Sequence, residues 1–134
     1  MSGLVLKLRP RERVLVNGAV IENGDRRASF CVITPGANVL RLRDAIHPGE
    51  VNTPVRRVCY IAQLVLSGDA DPEEARPQLL RGIEQLSQVF TDHDSRSRLT
   101  AATGDIVDAR FYQALQGLRG LLGREQRLFN AARQ

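Results

Sequence analysis

The chain has 134 residues, of which 43% are apolar, 25% charged and 4% aromatic, and 19 Lys and Arg against 15 Asp and Glu leave it at +4. These are the proportions of a compact folded domain, long enough to bury a core without disulfides or metal, and they exclude a disordered, collagen-like or membrane-spanning chain. No apolar run approaches the ~18 residues of a spanning helix, and Met1-Ser2-Gly3-Leu4 opens without the charged and apolar segments of a secretory leader, so a cytoplasmic location with no membrane contact is expected.

From Leu4 to Leu42 the apolar period is two and the punctuation is that of hairpins. Leu4, Leu6 and Leu8 alternate with Val5, Lys7 and Arg9, which predicts a strand with leucines on a core and bases on the other face. Asn17-Gly18 between Val14-Leu15-Val16 and Ala19-Val20-Ile21 is a strong hairpin signal, because both turn residues tolerate positive φ. Asn23-Gly24-Asp25 marks a second turn before a strand over Ala28–Thr34, and Pro35-Gly36 a third before Val39–Arg43. In that last segment the alternation sets Leu40 and Leu42 apart from Arg41 and Arg43. The expectation is an antiparallel meander of about five strands.

Past a polar connector the period becomes helical. Thr53-Pro54 reads as an N-cap and first-turn proline, followed by Val55, Val58, Cys59, Ala62 and Leu66, with an end near Ser67-Gly68. Asp71 caps a second helix whose core stripe is Leu79, Leu80, Ile83, Leu86, Val89 and Phe90, and Pro77 within it marks a kink or the true start. Residues 94–103 predict a short helix capped by Asp94. Asp105 to about Ala132 predicts a longer one, with Phe111, Leu115, Leu118, Leu122 and Phe129 on one face. The fold class is α+β: a β subdomain over 1–52, then a helical subdomain of three to four helices over 53–134.

Charge divides along the same line, with a net of +5 over residues 1–57 and −1 over the rest. All but one of the bases are arginine, whose planar fork suits phosphate and base edges, although a genome rich in G and C produces the same bias. Lys7, Arg9, Arg41 and Arg43 fall at outward positions of the first and last strands, with Arg11, Arg13, Arg26 and Arg27 near the strand ends. Together these eight form a candidate surface for a phosphate backbone, set against the plainer reading of a solvated face. Phe30 is the only aromatic of this half before the first helix, so an aromatic stacking platform is not expected.

Enzymatic chemistry finds no support. His47 and His93 lie in no nucleophile motif, and Cys31 and Cys59 sit in apolar stretches without the spacing of a metal site, so both cysteines are expected in the core and neither cofactor nor metal is expected. Asp69–Glu74 lacks the glycine and final glutamate of a calcium loop and reads as helix capping. Gly117, Gly120 and Gly123 lack a phosphate-loop ending and are expected to permit close helix packing or to soften a partner-docking segment.

Several stretches together resemble the FlbT family of flagellar regulators. They are Leu6-Lys7-Leu8, Glu12-Arg13, Val16–Ile21, Thr34–Arg41, Asn52-Thr53-Pro54, Cys59–Gln63 and Tyr112–Leu115. The resemblance implies a non-enzymatic regulator that associates with the 5′ untranslated region of flagellin mRNA, usually limiting translation and promoting decay, with some members acting in the opposite direction. The alternative, motivated by the glycine-softened segment Gly117–Gly123 and the scarcity of stacking aromatics, is a protein-interaction module that binds flagellin or a FlaF-like protein, with an indirect effect on mRNA; self-association into a homo-oligomer is a further expectation. A second similarity, to the carbon storage regulator CsrA, rests on Leu4–Arg9 before Glu12 and on Arg41–Ile46 after Pro35, and matches its basic RNA-contacting positions with Arg9 and Arg43. Leu8 and Leu42 stand where that family has arginine and histidine, and one residue is inserted between Pro35 and Arg43.

Overall fold

The computed structural model describes residues 3–133. Five strands come first: β1 (Leu4–Leu8), β2 (Arg13–Val16), β3 (Ala19–Glu22), β4 (Ala28–Val32) and β5 (Val39–Arg41). Short 3-10 turns at Leu42–Asp44 and Pro48–Glu50 lead into α1 (Pro54–Ser67), α2 (Pro72–Ser87), α3 (His93–Val107), α4 (Phe111–Arg119) and α5 (Leu122–Ala132). The class is α+β, with antiparallel strands followed by helices, as the periodicity predicts.

The strands do not pair in chain order, which corrects the expected meander. They form two small sheets, β1-β4 and β3-β2-β5. Only β2 and β3 are joined by a two-residue turn, with Asn17 at φ 48 and Gly18 at φ 84, and their ladder runs from Arg13↔Glu22 to Val16↔Ala19. β1 takes β4 as partner through Leu4↔Val32, Leu6↔Phe30 and Leu8↔Ala28, which places the larger apolar side chains of both strands on one face. β5 goes to the free edge of β2, pairing Leu15↔Leu40 and Val16↔Val39. There both faces of β5 are covered. Val39 joins Leu6, Leu8 and Val14 in a core between the sheets, while Leu40 enters the helical core, against which Leu15 also packs. Alternation in β5 therefore separates two interiors rather than an interior from water.

Helix starts follow the sequence. The Thr53 hydroxyl accepts from Arg56 N–H at 3.2 Å and the Asp71 carboxylate from Glu73 N–H at 3.3 Å. α2 runs through Pro77 without a break, and Val89 is 61% exposed instead of joining the stripe of Leu79, Ile83 and Leu86. The third helix is capped by Asp92, not Asp94, and continues to Val107. There are five helices rather than three to four because the region after Asp105 breaks twice. At the first break Ala109 adopts φ 59, with Arg110 N–H donating to Asp105 C=O at 2.7 Å and Ala109 N–H to Ile106 C=O at 3.1 Å. This is a Schellman closure with alanine where glycine is usual. The second break is the Gly120-Leu121 turn, which leaves Phe129 of α5 exposed rather than on the expected core face.

Two side-chain clamps tie the connector to the helices. Gln63 of α1 accepts from Ile46 N–H at 2.6 Å and donates to Ile46 C=O at 3.1 Å. Gln116 donates to the Asp44 carboxylate at 3.1 Å, and Arg119 to Asp44 C=O at 2.9 Å. Tyr112 packs against both cores. Cys59 is buried as expected, whereas Cys31 is exposed, because it faces away from the core side shared by Phe30 and Val32 on β4. Among the described residues no helix is long and apolar enough to cross a membrane.

Candidate nucleic-acid interface

Four of the eight candidate residues converge. Lys7, Arg9, Arg27 and Arg43 line one open groove of about 560 Å³, together with Leu8, Ala28 and Ser29. The β1–β4 register explains why. Leu6 and Leu8 point into the core between the sheets, so Lys7 and Arg9 emerge on the opposite face. Lys7 stands across from Ser29, and Leu8 across from Ala28, and Arg9 and Arg27, the residues just beyond this end of the ladder, line the same groove. Like charges gathered on one surface disfavour the bare fold and favour an anion among them. Lys7, Arg9, Arg26 and Arg27 form no ion pair with any described residue, and all four are exposed.

The other candidates are placed differently. Arg41 is not outward: its side chain is only 11% exposed and its Nε donates to Glu12 at 2.8 Å, while Nη2 reaches the second Glu12 oxygen at 3.1 Å and the Lys7 carbonyl. The cause is the burial of both faces of β5. Arg11 pairs with Asp25 at 2.6 Å and with Glu22 at 3.5 Å, and Arg13 pairs with Glu22 at 2.9 Å, so both serve the β2–β3 hairpin. Arg26 is exposed but does not line the groove. Arg43 lies in the 3-10 turn after β5, 3.6 Å from Glu12 and 4.0 Å from Asp44, with its side chain 37% exposed.

Glu12, which periodicity did not single out, organises this arrangement. Its carboxylate also accepts from Arg9 N–H at 2.9 Å, across a Pro10-Arg11 turn in which Arg11 takes φ 62. One buried acid thus ties the end of β1 to β5 and sets Arg43 beside Lys7 and Arg9. The Arg41 hydrogen bond is the largest cause holding the Glu12 carboxyl at about 2, below its ordinary 4.5, with burial opposing and Arg9 N–H and the charges of Arg41 and Arg43 assisting. The same pair raises the pKa of Arg41. A sequence signal existed only in retrospect, since an acid just past a Pro-Arg turn looks like any exposed charge.

Chemically, the groove offers an ammonium and three guanidinium groups with a serine hydroxyl, and no carboxylate or aromatic ring lines it. Its charge is complementary to a phosphate backbone, and it provides no stacking platform.

A sequence profile described as Flagellar protein FlbT matches residues 4–129. A protein of Rhodopseudomonas palustris named probable flagellum biosynthesis repressor protein FlbT is 31% identical over 128 residues, covering 95% of this chain and 98% of that protein. One of Allorhizobium ampelinum with the same name is 29% identical over 129 residues, 96% of this chain and 85% of that protein. The flagellum biosynthesis repressor protein FlbT of Caulobacter vibrioides is 28% identical over 119 residues, 89% of this chain and 84% of that protein. No solved structure matches the chain.

Proposed function

The chain belongs to the FlbT family of flagellar proteins, and on that premise we propose that it regulates flagellar synthesis by holding the 5′ leader of flagellin mRNA in the Lys7, Arg9, Arg27 and Arg43 groove. The relatives' names support the coarser part, a repressor of flagellum biosynthesis. The RNA part is supported by one observation: three cations without ion-pair partners among the described residues, and a fourth only loosely paired, line one open groove that no described acid lines. Occupying a leader in this way limits translation, and turnover of the message is left to other nucleases.

Because the groove binds through phosphate, its affinity depends steeply on salt. Filter binding of leader RNA to the full chain across a salt series tests this. Replacing Lys7, Arg9 and Arg27 together by alanine lowers the slope of log K against log salt by about 2, at ~0.7 per single-strand phosphate contact, and costs on the order of 100-fold in affinity at 0.1 M salt. Arg11→Ala and Arg13→Ala, whose charges are spent on Glu22 and Asp25, leave the slope unchanged. A wild-type slope in the triple variant overturns the reading.

A further inference from the structure

A second groove, of about 770 Å³, runs between α1 and α2 and shares no residue with the cationic one. Pro54, Val58 and Ile61 line it from α1, at the four- and three-residue steps of one helix face, Leu86 lines it from α2, and Val89 from the turn just past the end of α2. Gly82 sits at its centre: a Cβ there would lie 2.7 Å from Val58 Cγ2, so the floor carries no side chain at that point. Val89, in the turn that follows α2, is 61% exposed and forms an apolar edge of the groove.

The charged groups lining this groove are Arg57 and Arg81, both exposed and without an ion pair among the described residues, and no acid lines it. Gln78 and Gln85 complete the polar margin. An apolar floor with a purely cationic rim is the complement of a helix whose apolar stripe is flanked by carboxylates. Nucleic acid fits poorly, since the floor is aliphatic and offers no ring for base stacking. A second copy of the chain fits poorly as well. The exposed apolar residues of α5, Leu128 and Phe129, are accompanied by the exposed Arg127 and, just past the helix, Arg133, which would face Arg57 and Arg81 with like charge.

We propose that the α1–α2 groove docks an amphipathic helix of a protein partner, its apolar stripe bordered by Asp or Glu. This surface is independent of the RNA reading and survives that reading's failure.

Fluorescence anisotropy with the full chain tests it, using a labelled synthetic helix of about five turns, ~18 residues, with leucines at i, i+3, i+4 and i+7 and glutamates on both flanks. Saturable binding is expected, weakened about tenfold or more by Val89→Asp and by Arg57→Glu with Arg81→Glu. A lysine-flanked version of the peptide should bind the double glutamate variant better than the wild type. Circular dichroism confirms that these surface variants stay folded. Absence of saturable binding, equal binding of a peptide with scrambled leucines, or indifference to the substitutions overturns the proposal. So does a loss of leader RNA affinity in the Arg57, Arg81 variant without loss of peptide binding by it, which assigns the surface to RNA. Light scattering that shows a wild-type dimer converted to monomer by Val89→Asp overturns it in favour of self-association.

Discussion

Replacing Glu12 by glutamine removes one negative charge from a site where Arg41 has almost no access to water. The folded protein holds the Glu12 carboxyl at about 2 instead of 4.5, a displacement that corresponds to about 3 kcal/mol of stabilisation of the ionised form. Its side chain is only 5% exposed, so solvent screening removes little of this. A native-state pKa below the unfolded value means that the contribution is complete above about pH 5 and is lost as pH falls toward 2. Glu12→Gln should therefore unfold about 3 kcal/mol more readily at pH 7, equivalent to a Tm lower by about 10 °C for a chain of this length. The gap between wild type and variant should narrow below pH 4.5 and close near pH 2. Urea unfolding followed by helix ellipticity at several pH values measures it, and the paired comparison cancels other carboxylates such as Glu22 and Asp94, whose arginine partners also lower their pKa values. A gap below about 1 kcal/mol at pH 7, or one that does not change with pH, refutes the assignment of Glu12 as the buried partner of Arg41.

Three further outcomes follow from backbone and packing. Ala109→Gly should stabilise the protein by up to about 1 kcal/mol, since glycine adopts the φ of 59 at the end of α3 without the Cβ penalty; a lower Tm contradicts the Schellman reading. Gly82→Ala should cost about 1–3 kcal/mol through the clash with Val58, and Val58→Ala in the same chain should recover part of that loss in a chemical denaturation series. Of the two thiols, Cys31 should react with a thiol reagent in the native state, whereas Cys59, pushed up to about 12 by burial, should react only on unfolding; equal native rates rule out the placement of β4.

The sequence was most legible where a local rule needs no partner. β1 and the β2–β3 hairpin follow from alternation and from Asn17-Gly18, and α1 from Thr53-Pro54 and Gly68, whose φ of 86 closes the helix. Legibility failed where a position's environment comes from elsewhere in the chain. Alternation in β5 identifies two faces but not what lies against each, and since helices cover one and β1–β4 the other, Arg41 was misread as solvated. The end of α3 was missed because alanine stands where a glycine would announce the left-handed turn. Of the three glycines expected to let helices approach, Gly120 has a close neighbour from another helix, the Arg98 guanidinium of α3, whereas Gly117 and Gly123 have none; Gly82, a lone glycine in a helical pattern, also has one. Glu125 is the helical counterpart of Glu12. Buried on α5, it accepts from Val55 N–H at 2.9 Å and so satisfies the start of α1, yet nothing in its surroundings along the chain separates it from a surface acid.

Where the acids lie explains why part of the basic surface remains open. Residues 1–57 carry five acids. Glu22 and Asp25 serve the hairpin arginines, Glu12 sits beneath the groove holding Arg41 and reaching Arg43 from behind, and Asp44 is held by Gln116 and Arg119 of α4. These four are committed by geometry to bonds that maintain the fold, so none can swing into the groove without breaking a hairpin, a strand end or the clamp on the connector; the fifth, Glu50, lies in the 3-10 turn at Pro48–Glu50 and does not line the groove. Lys7, Arg9 and Arg27 are left lining one groove that no described acid enters, and the fold carries their mutual repulsion as a standing cost. A polyanion relieves that cost in a way that a single small anion, touching one or two of these groups, does not. The same geometry therefore makes a bound nucleic acid raise the unfolding temperature of the whole chain, most strongly at low salt, because it binds a charge constellation that exists only when β1, β4 and the turn after β5 are assembled.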